Sequence, residues 1–459
     1  MCGEKRIPWC ATVRACVSGA SSARRKGASP CFAPLREDLS VSTKLTSIER
    51  KWVLYDVGNS AFVLLCTAVV PIYLNSLLEG AGRTDVVTSF GYAQTIASLV
   101  VAILMPILGS LADFEGKKIK FFLGFFLTGV ICCTCMALPL SWFAFLVVYV
   151  LATVGLNSSM TFYDSMLVDV TSDERMDAVS SHGYAWGYVG STVPFIGCLA
   201  LIFGGPAIGI PTAVATRLSF VVTALWWAGF TIPLLRSYRQ RHFKTSGETM
   251  GQAVRKSLSG LAGTMHKITK DKSLFFFMLA FFFYIDGVHT VIAMSTSYGT
   301  SLGIDSTQLV LALLVTQFVA FPSAIAYGWL AGKFGTKRMI MIAVLAYTCI
   351  VFFAAFFLKT AFEFWVLAVS VGLFQGGIQA LSRSYFGRLI PKENSNEFYG
   401  FFDVFGKYAS VMGSFLVAVI TQVTGDASLG VLSIAALLLV GLILLVKMPE
   451  PTRRAQVEE

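Results

Sequence analysis

Charge is scarce in this sequence. Only 14% of its 459 residues are Asp, Glu, Lys or Arg, against roughly 25% in a soluble domain. Histidine is scarcer still, at four. The ten cysteines include no Cys/His grouping with zinc spacing. Cys132, Cys133 and Cys135 fall inside an apolar block, so they read as buried thiols and not as metal ligands. No G-x-x-x-x-G-K-[ST] run occurs, which leaves the chain no sign of ATP-driven chemistry of its own. No nucleophile–base set is visible either. The sequence does not read as an enzyme and calls for no cofactor. The stretch RACVSGASSARRKGASPC lacks an apolar core and is not a secretory signal.

What is abundant is apolar. Hydrophobic residues make up 55% of the chain, 38 of them Phe. They come in blocks of about 20 residues, the length needed to cross about 30 Å of hydrocarbon. Twelve such blocks, from 53–77 to 427–447, are separated by turn or charge signals. The fold class is an all-α membrane protein. The net charge of +10 could suit nucleic acid, but its placement explains it otherwise. Of 36 Lys and Arg, 32 lie in the N-terminal tail, in the loops after even-numbered spans, or at the C-terminal end. Arg83, Arg217 and Lys359 lie on the opposite side, and Lys407 falls inside a span. The positive-inside rule places both termini in the cytoplasm. The partner is then a bilayer, with no role for nucleic acid.

Residues 1–50 read as a disordered basic tail. Their Arg/Ser/Ala bias also resembles an organelle transit peptide. With no Met between Met1 and Met105, translated upstream sequence is a further alternative to the plain tail. Residues 51–235 and 274–448 form two six-span bundles, and 449–459 a C-terminal tail. The cytoplasmic linker between the bundles, 236–273, carries Val254, Leu258, Leu261, Met265 and Ile268 on one helical face. A basic amphipathic helix on the inner membrane surface fits, as does a solvated linker with a short helix.

The second span ends in GSLADFEGKK, Gly109 to Lys118, and the eighth in GWLAGKFGTK, Gly328 to Lys337, 219 residues later. Features recurring at one offset imply two homologous halves. Gly109 permits a close helix contact and Gly116 a tight turn. Asp113 is suited to accept hydrogen bonds from a neighbouring helix N-terminus. Lys117 and Lys118 are expected at the anionic surface.

In this topological position the motif resembles that of the major facilitator superfamily, where the cluster latches the halves together on the cytoplasmic side. Phe114 stands where that motif has a basic residue, and Gly332 where the second copy has its Asp. Asp113 is therefore expected to carry more of the latch. YDVGNSAF, YIDGVHT, GGIQALSRSYFGRLIP and EFYGFFDVFGKYAS resemble the vacuole-effluxer-like branch. That branch contains bacterial members and a fungal autophagy-related amino-acid effluxer. The resemblance implies two pseudo-symmetric six-helix bundles and a monomeric secondary transporter of a small polar solute. It would sit in the plasma membrane of a bacterium, or in a vacuolar or other organelle membrane of a eukaryote. A non-transporting receptor or scaffold on the same fold is the alternative.

Charges inside lipid spans cost on the order of 3 kcal/mol each, so the helices that accept them are informative. Spans 3, 6, 9 and 12 carry none well inside and read as peripheral. Asp286 lies roughly 18 Å into the seventh span and Lys407 roughly 14 Å into the eleventh, at 1.5 Å per residue. They could face one cavity, with Asp286 as a proton carrier, or form a pair that fixes packing. Asp403 offers Lys407 a local partner at i, i+4. His289 shares the face of Asp286. Asn157, Gln375 and Gln379 reach mid-depth, where amides suit a polar or zwitterionic solute or bond between helices. Trp186 is a further cavity candidate. Asp164, Asp169, Arg383 and Arg388 read as gate or rim charges, with snorkelling surface charges as the alternative. Trp52, Trp142, Trp226, Trp227 and Trp365 mostly fall near span ends and read as an interfacial belt. Asp56 and Asn59 share one face of the first span near the inner mouth of the pathway.

Overall fold

The computed structural model of the protein describes residues 44–245 and 263–450. The chain enters at a capping box. Thr46 Oγ1 accepts the Glu49 N–H at 3.3 Å, and Glu49 Oε2 accepts the Thr46 N–H at 2.7 Å. Helix α1 (Ser47–Ala68) therefore starts inside the stretch expected as tail. Pro71 has no N–H to give the preceding turn. The first span accordingly bends by 42° into α2 (Val70–Gly80).

The remaining helices of the first half are α3 (Val86–Ala112), α4 (Lys118–Cys135), α5 (Trp142–Ser165), the single turn α6 (Leu167–Val170), α7 (Met176–Gly204) and α8 (Thr212–Ser237). A short helix, α9, spans 263–270. The second half holds α10 (Lys272–Ser301), α11 (Ser306–Phe334), α12 (Thr336–Phe357), α13 (Ala361–Leu389), α14 (Ser395–Thr424) and α15 (Ala427–Lys447). Among the described residues, ten helices are long and apolar enough to cross a membrane, and the bent α1–α2 pair makes an eleventh. The remaining long helix, α14, has an apolar stretch at Met412–Thr424. This is consistent with the twelve spans expected from the sequence. The chain is a multi-pass integral membrane protein.

Each half has its own apolar core. One gathers Tyr55, Phe62, Tyr149 and Trp227 from α1–α8. The other gathers Phe277, Tyr284, Tyr347 and Phe386 from α10–α15. The halves meet chiefly where α7 lies on α11 and α13, and where α3 and α5 lie on α14. In contrast, α4, α8, α12 and α15 pack mainly within their own half. Their outward faces carry exposed Leu127, Leu225, Phe356 and Ile443, as contact with lipid tails requires. These are the four spans that composition marks as peripheral.

Within the linker, Val254, Leu258 and Leu261 lie outside the described residues. Ile268 of α9 is buried in the second core, whereas Met265 is exposed. The expected tail up to residue 43 also lies outside the described residues.

Candidate functional site

Between the halves, near the end of the bundle where the linker lies, Arg383 of α13 is buried with 2% of its surface exposed. Its NH1 donates to Asp164 of α5 at 2.8 Å, and NH1 and NH2 both lie 3.5 Å from Asp56 of α1. Nε donates to Ser180 Oγ at 2.9 Å and NH2 to the Ser180 carbonyl at 3.0 Å. The guanidinium lies over Trp52 at 4.7 Å and Tyr184 at 4.4 Å. Tyr163 donates its hydroxyl to Asp56 at 2.8 Å. A side chain at Gly183 would place its Cβ 2.5 Å from Asp56 Oδ2 and 2.9 Å from Arg383 NH2, so glycine makes room for this cluster. Burying charges is tolerable only when they are paired and hydrogen-bonded, and every fork of Arg383 is occupied.

Of the gate or rim expected from the sequence, a solvated rim does not describe Arg383 and Asp164, which are buried. The reason is that Arg383 belongs to one half and both its carboxylates to the other. The ion pair forms across the seam, where the halves exclude water. Trp52 is likewise no belt residue. It is fully buried, donates Nε1–H to the Tyr163 carbonyl at 3.1 Å and stacks on that ring at 4.4 Å. Trp227 is fully buried against Phe62 and Phe126.

Next to the cluster lies a cavity of about 220 Å³. Its polar lining is Asn157, Asp164, Tyr184, His289, Gln379, Arg383 and Asp403, and its apolar lining includes Phe281, Ile285 and Phe402. Both halves contribute. Asp403 accepts a hydrogen bond from Thr161 of the opposite half. Of the expected pathway residues, the structure gathers Asn157, His289 and Gln379 here. Asn59 instead donates to the Tyr55 carbonyl at 2.9 Å and to Asp56 at 3.4 Å. Gln375 lines a small cleft between α10, α11 and α13. Trp186 is 44% exposed and packs edge-on against Phe321. The side chain of Lys407 lies outside the described residues.

Asp286 is fully buried on α10. Its Oδ1 accepts from the Gly413 N–H of α14 at 2.9 Å and from Thr290 at 3.3 Å, while Oδ2 has no hydrogen-bond partner. A Cβ on Gly413 would strike this carboxylate and Thr290, so the glycine leaves the acid its place.

Two latches close the linker end. In the first, Asp113 caps the start of α14. It accepts from the Asn396 N–H at 2.9 Å, Asn396 Nδ2 at 2.8 Å and the Glu397 N–H at 3.3 Å. Burial pushes its carboxyl up to about 6, against the pull of Lys244 and Lys118. A Cβ on Gly109 would lie 2.5 Å from the Asn396 carbonyl, which shows how closely α3 and α14 approach. Gly116 turns the chain at φ +64°.

Lys118 corrects the sequence reading. It is not at the anionic surface but fully buried, donating to Asp169 at 2.7 Å, Ser395 Oγ at 3.0 Å and the Ser165 carbonyl at 3.2 Å. A tertiary partner draws it inward. Lys117 remains partly exposed at the start of α4.

In the second latch, Gly332 supplies no acid, and Asp177 of α7 takes that part. It accepts from Thr336 Oγ1 at 2.6 Å and from Arg388 at 2.7 and 3.0 Å. Gly328 approaches α7 as Gly109 approaches α14. Asp177, Asn396 and Lys244 were not singled out from the sequence. The first two were legible in principle, because they too are 219 residues apart.

A profile described as Vacuole effluxer Atg22 like matches residues 84–458. The chain is 43% identical over 417 residues to the Uncharacterized MFS-type transporter YxiO of Bacillus subtilis, covering 89% of this chain and 96% of that one. It is 26% identical over 320 residues to Autophagy-related protein 22 of Coccidioides immitis, covering 64% of this chain and 52% of the other. It thus spans about half the length of that fungal relative. Among solved structures, the human organic anion transporter MFSD10 (TETRAN) superposes with a TM-score of 0.66 at 15% identity, covering 86% of this chain and 99% of that one. The proton:xylose symporter XylE superposes with a TM-score of 0.67 at 12% identity, covering 88% and 96%. The chain belongs to the Vacuole effluxer Atg22-like family, within the major facilitator superfamily.

Proposed function

We propose that this protein is a secondary transporter that moves a small polar solute by alternating access, with the cavity beside Arg383 as its solute site. One observation carries the reading. A polar cavity lined by both halves lies directly against an ion cluster that ties those halves together at one end. Opening that end must break the cluster, so access and the site are mechanically linked. At about 220 Å³, the cavity is smaller than the ~300–1,000 Å³ typical of drug-sized ligands. A solute the size of an amino acid fits. A solute carboxylate would take over Arg383 donors that Asp164 and Asp56 hold in the closed form, and Asp164 and Asp403 would then offer acceptors for an ammonium group. Export of amino acids is the specific reading, in keeping with the effluxer relatives.

Coupling to protons is the second part of the proposal. Asp286, buried without a cation among the described residues, is the place proposed to carry one. The charge distribution along the chain supports a cytoplasmic linker end, with both termini on that side. The protein works as a monomer and needs no cofactor.

The test is counterflow of labelled amino acids in proteoliposomes, with and without a pH gradient. Exchange that is lost in Arg383→Gln and no longer driven by the gradient in Asp286→Asn is the expected result. Purified protein that exchanges no amino acid would overturn the solute assignment. Unchanged gradient-driven flux in Asp286→Asn would remove that residue from coupling.

A further inference from the structure

The segment that joins the two halves does more than connect them. After α8 ends, residues 238–244 are fastened to the first bundle along their length. Tyr238 donates its hydroxyl to Asp169, and the Arg241 and His242 N–H groups donate to the same carboxylate at 3.1 and 2.9 Å. Gln240 Nε2 donates to the Ala112 carbonyl at 3.2 Å. The Lys244 N–H donates to the Asp113 carbonyl at 2.8 Å, beside an isolated bridge between Phe114 and Lys244. All these acceptors lie on α3 and α5–α6 or the turn after α3. The segment therefore travels with the first bundle.

One group crosses to the other half. The Lys244 ammonium lies 3.4 Å from Asp113 Oδ2 and 3.0 Å from Glu397 Oε2 of α14. Asp113 and Glu397 belong to opposite bundles, and each has 5% or less of its side chain exposed. Two carboxylates this close and this buried repel unless a cation lies between them. Lys118, the fully buried lysine of this region, is engaged by Asp169 at 2.7 Å. The far end of the linker arrives at the same acid from the other side. Thr264 of α9, 2% exposed, donates its hydroxyl to Glu397 Oε1, and Ile268 anchors α9 in the second core. Both described ends of the linker thus meet on one carboxylate, and of these two contacts the one from Lys244 joins the two bundles.

We infer that residues 238–244 form a strap that holds the linker end shut, with the Lys244–Glu397 ion pair as its release point. When α3 leaves α14, the backbone-fastened strap goes with α3, and Lys244 must leave Glu397. The strap therefore stabilises the closed linker end without touching the solute cavity. It sets how often that end opens.

The inference rests on the alternating-access reading, and its test needs no solute. The full chain in nanodiscs is labelled at the exposed positions Glu115 and Glu393, on opposite bundles, and the distance distribution is measured by electron spin resonance. Lys244→Met raises the population of the long, open-end distance about tenfold. Lys244→Arg keeps the charge and leaves the wild-type distribution. Glu397→Gln has an effect similar to Lys244→Met, and the double variant shifts the distribution no further than either alone, because both remove one interaction. A Lys244→Met distribution identical to wild type, while Gly109→Val, whose side chain would strike the Asn396 carbonyl, opens the end, would overturn the strap and leave the transporter reading intact. Additive single effects would overturn it as well. A single distance in every variant, Gly109→Val included, would instead count against alternating access itself, and the strap would fall with it.

Discussion

Replacing Arg383 by Gln is the most demanding test of the closed cluster. The substitution keeps some hydrogen bonding on a shorter side chain but removes the only described cation between Asp56 and Asp164. Asp56 is 6% exposed and Asp164 8%, so both carboxylates would stay buried without that cation. Removing one member of a buried pair costs about 3–5 kcal/mol. The molecule has a way to escape part of that cost: it can open the linker end and let water reach both acids. The expected outcome is therefore a shift toward the open end by up to roughly two to three and a half orders of magnitude, more than a loss of fold.

The carboxylate variants should grade below it. Asp164→Asn loses the 2.8 Å bond, whereas Asp56→Asn loses only contacts at 3.5 Å and keeps its neighbour Tyr163. Opening should rank Arg383→Gln above Asp164→Asn, and that above Asp56→Asn. Accessibility of a reporter in the cavity to a membrane-impermeant reagent from the linker end reads this order directly. A closed distribution in Arg383→Gln, or Asp56→Asn as severe as Arg383→Gln, would refute the reasoning.

Three further outcomes follow from the geometry. Gly183→Ala puts a methyl 2.5 Å from Asp56 Oδ2 and should open the end nearly as far as Asp164→Asn, whereas alanine at Gly197, which has nothing within 4 Å, should leave the same accessibility assay unchanged. Glu49→Ala removes the α1 capping box and the Arg175 pair at 2.7 Å. It should lower stability by about 1–3 kcal/mol, read as an earlier thermal transition in detergent; an unchanged transition would show that this corner adds nothing. The pH dependence has a fixed sign. Asp113, at about 6 in the latched form, returns toward its ordinary value of about 3.9 when opening exposes it. Protonation therefore favours the latch, fully below about pH 4, and this support is lost as pH rises through about 6. Between pH 7.5 and pH 5 the closed form should gain roughly tenfold. The gain should vanish in Asp113→Asn, and an opening of the end on acidification would contradict it.

The spans were legible because a lipid core imposes one demand, about 20 apolar residues, on each block separately. The peripheral helices were legible for the same reason, since lipid contact tolerates no charge. Lys118 and Trp52 were not. Whether a lysine snorkels or is drawn inward depends on Asp169, a partner supplied by another helix, and no local pattern records it. Lys244 was harder still, because a single lysine in a basic linker looks like every other one.

The pairings across the seam are different, for they were written in the repeat. Near a pseudo-two-fold axis, equivalent positions of the two halves face one another. Asp164 and Arg383 are 219 residues apart, the offset that relates Gly109 to Gly328, and they form the central ion pair. Asp169 and Arg388 share that offset with opposite charge. Asp169 holds Lys118, and Arg388 holds Asp177. Asp177 in turn corresponds to Asn396, the residue that Asp113 engages in the first latch. The acid missing at Gly332 has thus moved to the facing helix, and the basic residue has moved with it. Reading the sequence against itself at that one offset exposes charge reversals that no single motif shows. A reversal at equivalent positions is what lets two like halves attract each other, because identical charges there would repel across the axis. The departure of the second latch from the motif is therefore a transposition, and both latches close the same end.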